Sequence, residues 1–207
     1  MKEIQEYEKD LASIRSMMER SGKFISLSGM SGILAGVYAL AGAGTGWWIL
    51  QNSLFSNAPF GMAEVRRLEF QLLAIAVIVL VASIGTGLWL SGSKAKKSGV
   101  SLWNASSRQM MMNLAIPLIT GGIFILIMLY NGLFVILAPA TLIFYGLALI
   151  HASANTYDEI RYLGFSEIAL GLVCALFSPL NGLIFWALGF GVLHILYGAI
   201  LYNKYDR

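Results

Sequence analysis

Glu167, His194 and His151 are the residues of this 207-residue chain whose chemistry departs most from their surroundings. Each stands in or beside a long apolar run. An ionisable group in hydrocarbon is costly enough to imply a purpose. Glu167 lies 14 residues before Asn181, and His194 lies 13 after it. If Asn181-Gly182 is a tight turn between antiparallel helices, both side chains sit roughly 20 Å below its tip, toward the cytoplasmic half. A carboxyl–imidazole pair at one depth could relay a proton or sense pH, because histidine titrates near neutrality. The same pair could instead be a structural tie between two helices. His151, near Asn155, Tyr157, Asp158 and Glu159, is expected at the membrane interface in contact with water.

Other chemistries find little support. Two histidines in a helical bundle invite a haem, but their depths below their tips differ by on the order of 10 Å, which suits bis-histidine ligation poorly. Cys174 stands alone in an apolar run, so no internal disulfide or cysteine-based metal site can form, and a buried, inert thiol is expected. No Glu-x-x-His or His-x-x-x-His spacing suggests a metal. No nucleophile–base pair, phosphate-binding glycine loop or basic–aromatic nucleic-acid surface is present. The expectation is a protein without enzymatic activity, cofactor, metal or nucleic-acid partner.

The elements that must hold Glu167 and His194 follow from composition. Apolar residues make up 57% of the chain and charged residues 12%, about half the charge of an ordinary soluble domain, and the mean hydropathy is +0.72. Lipid must therefore solvate much of the surface. Spanning a bilayer takes about 20 apolar residues in a helix. Six segments qualify: 24–50, 70–90, 113–130, 133–152, 162–177 and 183–202. The reading is an all-α polytopic membrane bundle of six transmembrane helices in three hairpins, at about 24–90, 113–152 and 162–202. An amphipathic helix over 1–23 precedes them. The hairpins look like repeats: Asn131-Gly132-Leu133 recurs as Asn181-Gly182-Leu183, Gly121 maps onto Gly171, and Tyr145-Gly146 onto Tyr197-Gly198.

Lys and Arg orient the bundle. Met1–Lys23, Lys94–Arg108, Arg161, Lys204 and Arg207 hold all of them except Arg66 and Arg67. The positive-inside rule then makes both termini cytoplasmic. The first hairpin has a longer outer segment, about Gln51 to Glu69. It should form a loop at Asn57–Gly61 and a short interfacial turn bearing Glu64, Arg66, Arg67 and Glu69. No cleavable signal core is evident, so the first apolar run is read as a retained span.

Ser28, Gly32 and Gly36, continued by Gly42 and Gly46, give the first span a small-residue stripe suited to close helix packing; Gly121 and Gly171 serve the same end in the later repeats. A substrate path along Ser26, Ser28, Ser31 and Thr45 is the alternative use of that face. Trp47, Trp48, Trp89 and Trp103 read as interfacial anchors. In the N-terminal element Ile4, Tyr7, Leu11, Ile14 and Met18 recur at spacings of 3 and 4, with five acidic and five basic residues on the other faces. This short heptad-like seam points to self-association or to a cytoplasmic protein partner held through Ile4, Leu11, Ile14 and Met18.

The stretch Ala169-Leu-Gly171-Leu-Val-Cys-Ala-Leu-Phe-Ser-Pro179-Leu-Asn-Gly-Leu, followed by Leu188-Gly-Phe-Gly-Val-Leu-His-Ile-Leu-Tyr-Gly198, resembles one repeat of the HdeD-like membrane proteins. The earlier unit, Leu118 to Leu149, keeps Gly121, the tip and Gly146, but its prolines, Pro117 and Pro139, fall elsewhere. The resemblance implies six spans in short hairpin repeats. It also implies a bacterial inner-membrane location and a role in acid or envelope stress, with no catalytic residues to carry over. The sequence reading is thus an oligomeric, non-enzymatic protein of the bacterial inner membrane acting through packing and partner contact. The alternative is a small proton-coupled transporter or channel using Glu167 and His194.

Overall fold

The computed structural model describes Tyr7, Leu11, Phe24 and residues 27–54, 61–97, 99, 101, 103–177 and 182–207. Among them are six helices long and apolar enough to cross a membrane, so the chain is an all-α multi-pass membrane protein. In order they are α1 (Gly29–Leu54), α2 (Met62–Lys97), α3 (Ala105–Tyr130), α4 (Leu137–Ser153) entered through a 3-10 turn at Phe134–Ile136, α5 (Asp158–Phe177), and a sixth span in three parts. The sixth span begins as α6 (Gly182–Trp186), widens into a π turn (Ala187–Leu193) and continues as α7 (His194–Tyr205).

Local sequence explains several boundaries. Asn104 begins α3 through a capping box: its side-chain oxygen accepts from the Ser107 amide at 2.8 Å, and the Ser107 hydroxyl accepts from the Asn104 amide at 2.9 Å. The turn after α3 uses Asn131-Gly132 as expected. Gly132 takes φ +73°, a left-handed conformation that a glycine adopts without steric cost. Pro139 falls in the first turn of α4, where a missing amide hydrogen breaks no helical bond. Pro117 is inside α3 and buried.

The first hairpin departs from expectation. Glu64, Arg66, Arg67 and Glu69 lie within α2 and form no separate interfacial turn; helix runs unbroken from Met62. A weak surface pair, Arg67 to Glu64 at 4.0 Å, marks the place among the described residues. Residues 55–60, including Asn57, lie outside the described residues. Of the N-terminal seam, Tyr7 and Leu11 are helical and exposed, while Ile4, Ile14 and Met18 lie outside the described residues.

Glycines decide which helices touch. Backbones approach closely where α4 crosses α5. A methyl placed on Gly146 of α4 would lie 2.6 Å from the Gly164 carbonyl oxygen of α5, and one on Gly164 would lie 2.7 Å from the Gly146 carbonyl. The first and sixth spans meet the same way. A methyl on Gly36 would lie 2.6 Å from the Gly191 carbonyl, and Gly32 faces the Gly198 backbone. Gly42 and Gly46 seat Val79 and Leu72 of α2, Gly121 seats Phe144, and Gly171 seats Ile143 and Leu142. Each glycine assigned to packing therefore touches a neighbouring helix. α1 lies between α2 and the sixth span, α4 lies between α3 and α5, and the sixth span leans on α4 and α5 to join the two groups. α2 exposes much of its apolar surface, including Phe70, Ile78 and Val81, as a helix facing lipid would.

Candidate functional site

The join between the two groups of helices holds the polar cluster. Glu167 is nine residues from the start of α5 at Asp158 and ten from its end at Phe177. His194 is twelve residues after Gly182 and eleven before Tyr205. Both therefore sit at mid-span, about 14–18 Å from either end at 1.5 Å per residue. This is deeper than the cytoplasmic half expected from sequence, because α5 begins at Asp158 and the sixth span continues to Tyr205.

The structure brings Glu167 and His194 together. Nδ1 of His194 lies 3.4 Å from Oε1 of Glu167, which has 0% of its surface exposed. The contact has ion-pair distance without hydrogen-bond geometry, and neither carboxyl oxygen has a hydrogen-bond partner among the described residues. Nδ1 instead lies 3.1 Å from the Gly189 carbonyl, and Nε2 lies 2.8 Å from the Tyr145 hydroxyl of α4. The neutral ring fits this frame in one tautomer, inferred from the bonding: Nδ1–H donates to Gly189 and Nε2 accepts from Tyr145. A second proton on Nε2 would make the ring cationic beside the carboxylate and would require the Tyr145 hydroxyl to turn from donor to acceptor. The cluster thus sets an imidazole, with a ring nitrogen bonded on each side, beside a buried carboxyl group.

Aromatic rings enclose the imidazole. Phe190 lies 5.1 Å from Tyr145 and 5.9 Å from His194 between ring centroids, and Trp186 lies 5.2 Å from Phe190. Trp186, Phe190 and His194 follow one another along one face of the sixth span, and Tyr145 meets them from α4. Single-turn π segments often accompany functional positions. Tyr145 was missed from sequence, although a depth count finds it: it stands 14 residues after Asn131, matching the 14 between Glu167 and Asn181. The π turn has no such signal.

A second polar network ties several spans together at one end of the bundle. Asp206 Oδ2 accepts from the Gly29 amide at 2.8 Å and the Ser28 hydroxyl at 3.2 Å, so it caps the start of α1. Its Oδ1 lies 2.5 Å from Lys94 Nζ, which also donates to the Leu27 carbonyl at 3.0 Å and the Tyr157 hydroxyl at 3.2 Å. Burial pushes the Tyr157 phenol up, and the neighbouring Lys94 ammonium opposes that. Tyr157 stacks on Tyr205 with centroids 4.0 Å apart, and Glu159 receives Lys204 at 2.6 Å. The Phe24 amide donates to the Asn155 carbonyl at 2.7 Å, and Thr156 donates to the Phe24 carbonyl at 2.8 Å. Lys94, read from sequence as a loop cation, is thus a partly buried link between α1, α2 and α7.

The remaining candidates are placed simply. Ser28 joins this network, and its amide also donates a long bond to the Ser91 hydroxyl oxygen at 3.4 Å. Ser31 donates to the Ser28 carbonyl and Thr45 to the Ala41 carbonyl, so both hydroxyls turn to their own chain rather than line a path. Ser26 lies outside the described residues. His151 is exposed, Cys174 is buried, and Trp47, Trp48, Trp89 and Trp103 are exposed.

The geometry and fold define a multi-pass membrane protein with a sealed polar cluster at mid-span. No family model matches the chain, and neither a curated protein nor a solved structure matches it.

Proposed function

We propose that the protein is a proton-responsive, non-enzymatic membrane protein of the bacterial inner membrane. The Tyr145–His194–Glu167 cluster gains or loses a proton, and the resulting change in helix packing is passed to a second copy or to a cytoplasmic partner. The observation that carries this reading is Glu167, wholly buried at mid-span, with neither oxygen hydrogen-bonded among the described residues and an imidazole nitrogen 3.4 Å away. Among the described residues, His194 is the group placed to answer a charge on that carboxyl. The sequence resemblance to HdeD-like repeats accords with an acid- or envelope-stress role, and the distribution of Lys and Arg accords with cytoplasmic termini.

A second reading, a small proton-coupled transporter or channel, draws support from the π turn, an irregular stretch of helix at the depth of the pair. Transporters use interrupted helices at that depth. Purified protein in liposomes separates the two. Proton flux lost in Glu167→Gln favours transport. Absence of flux, with an oligomer size that changes with pH in the parent protein but not in Glu167→Gln, favours the switch. A protein showing neither behaviour would defeat both readings.

A further inference from the structure

We propose that Gly189 is the positioning residue of the Tyr145–His194–Glu167 cluster, seating the Glu167 carboxylate where a side chain would otherwise be and fixing the His194 ring through its carbonyl. This rests on the proton-binding reading of the site.

Two independent contacts converge on this glycine. A methyl on Gly189 would lie 2.5 Å from Glu167 Oε2 and would also press on Leu142 Cδ2. Both neighbours are completely buried, so neither has solvent to move into. The space that a β-carbon would fill is therefore occupied by the carboxylate. On the other side of the same residue, the carbonyl oxygen is 3.1 Å from His194 Nδ1, five residues ahead. That bond is made across the π turn. An α-helical course would carry residue 194 roughly a quarter turn further around the axis and take the ring from this acceptor. One residue thus sets the position of the acid and the orientation of the base.

The groups around the ring are few. α4 brings Tyr145, α5 brings Glu167, and the sixth span brings Phe190 and Gly189. α1 meets the π turn at Gly191 through Leu40 and the Gly36 carbonyl. Gly191 is therefore the natural control: it shares the π turn and is closely packed, but it meets Leu40 in place of the carboxylate.

The full-length protein, with its two histidines labelled with nitrogen-15 and held in lipid nanodiscs, reads the effect directly; exposed His151 is the internal reference. Gly189→Ala should remove the hydrogen-bonded Nδ1 signature of His194 and move its titration midpoint by about one pH unit or more, the scale on which a lost charge or hydrogen-bond partner acts. Gly191→Ala should leave both unchanged. In a Glu167→Ala background, Gly189→Ala should cost less stability than in the parent, because the methyl then meets Leu142 Cδ2 alone and Leu142 can shift into the space the carboxyl group leaves. Equal effects of Gly189→Ala and Gly191→Ala would overturn the proposal, as would a Gly189→Ala folding defect of the same size in both backgrounds. If Gly189→Ala alone does not fold, recovery in the Glu167→Ala double variant supports the steric seat and continued failure rejects it. A parent His194 that does not titrate would sink the proton-binding reading instead; loss or survival of the Nδ1 signature in Gly189→Ala would still decide the role of Gly189.

Discussion

Gly146 and Gly164 each face the other's carbonyl oxygen across the α4–α5 crossing, so the two backbones are in contact along that line. A side chain on either must push the helices apart. Gly146→Leu or Gly164→Leu should destabilise the bundle by about 1–3 kcal/mol or more, the usual cost of overpacking. Gly85→Leu, at a position with open space around it, should be nearly neutral. Reversible unfolding in mixed detergent micelles measures all three, and comparable losses at Gly85 and Gly146 would contradict the packing assignment.

The polar pair should respond asymmetrically to truncation. His194→Leu leaves the buried Glu167, the Tyr145 hydroxyl and the Gly189 carbonyl without the imidazole. It should cost about 3–5 kcal/mol, as when one member of a buried pair is removed. Glu167→Met fills a similar volume and leaves the ring still bonded to Tyr145 and Gly189. It should be neutral or stabilising, by up to about 4 kcal/mol, because an apolar replacement escapes desolvation. The same variant should lose any pH response. A strongly destabilised Glu167→Met would mean that the acid is a structural tie.

Asp206 should matter to α1 through two bonds of different kinds. Asp206→Ala removes a helix cap and the partner of Lys94, and a loss of about 1–3 kcal/mol is expected from the cap and the partly buried ion pair together. Asp206→Asn keeps an acceptor for the Gly29 amide and should lose less. Hydrogen exchange at the first turn of α1 gives the specific readout: faster exchange at Gly29 in the alanine variant, with α5 unaffected.

Topology is open to a simple check. A reporter active only outside the cytoplasm, fused after Arg207, should be silent, because all Lys and Arg but Arg66 and Arg67 then lie on the cytoplasmic side. A strong signal would mean an inverted protein.

The N-terminal seam can be tested by deletion. Removing residues 2–20 should leave the six spans folded, since the described contacts of α1 are with α2 and the sixth span, while reducing oligomer size or capture of a cytoplasmic partner. Unchanged size and capture would remove the segment from the functional account.

The six spans, the turn at Asn131-Gly132 and the shared depth of Glu167 and His194 were all legible in the sequence. Hydropathy, turn chemistry and a fixed rise per residue depend on local spacing, and they survive without knowledge of what packs where. Gly32, Gly36, Gly121 and Gly171 were legible as packing positions for the same reason, but their partners were not. A small residue says that something comes close, and only the three-dimensional arrangement decides that the first span meets the sixth and that α4 meets α5. Lys94 shows the same limit: a cation near a span end reads as a topology signal, and its bonds to Asp206 and Tyr157 exist only once residues 112 and 63 positions away are brought beside it. Tertiary structure also decided the character of the pair. The π turn rotates His194 onto the Gly189 carbonyl and Tyr145, leaving Glu167 within charge-pairing distance but without a hydrogen bond. Depth along a helix follows from counting residues, whereas the direction a side chain faces depends on the helical phase, and one widened turn changes that phase without leaving a mark in the sequence.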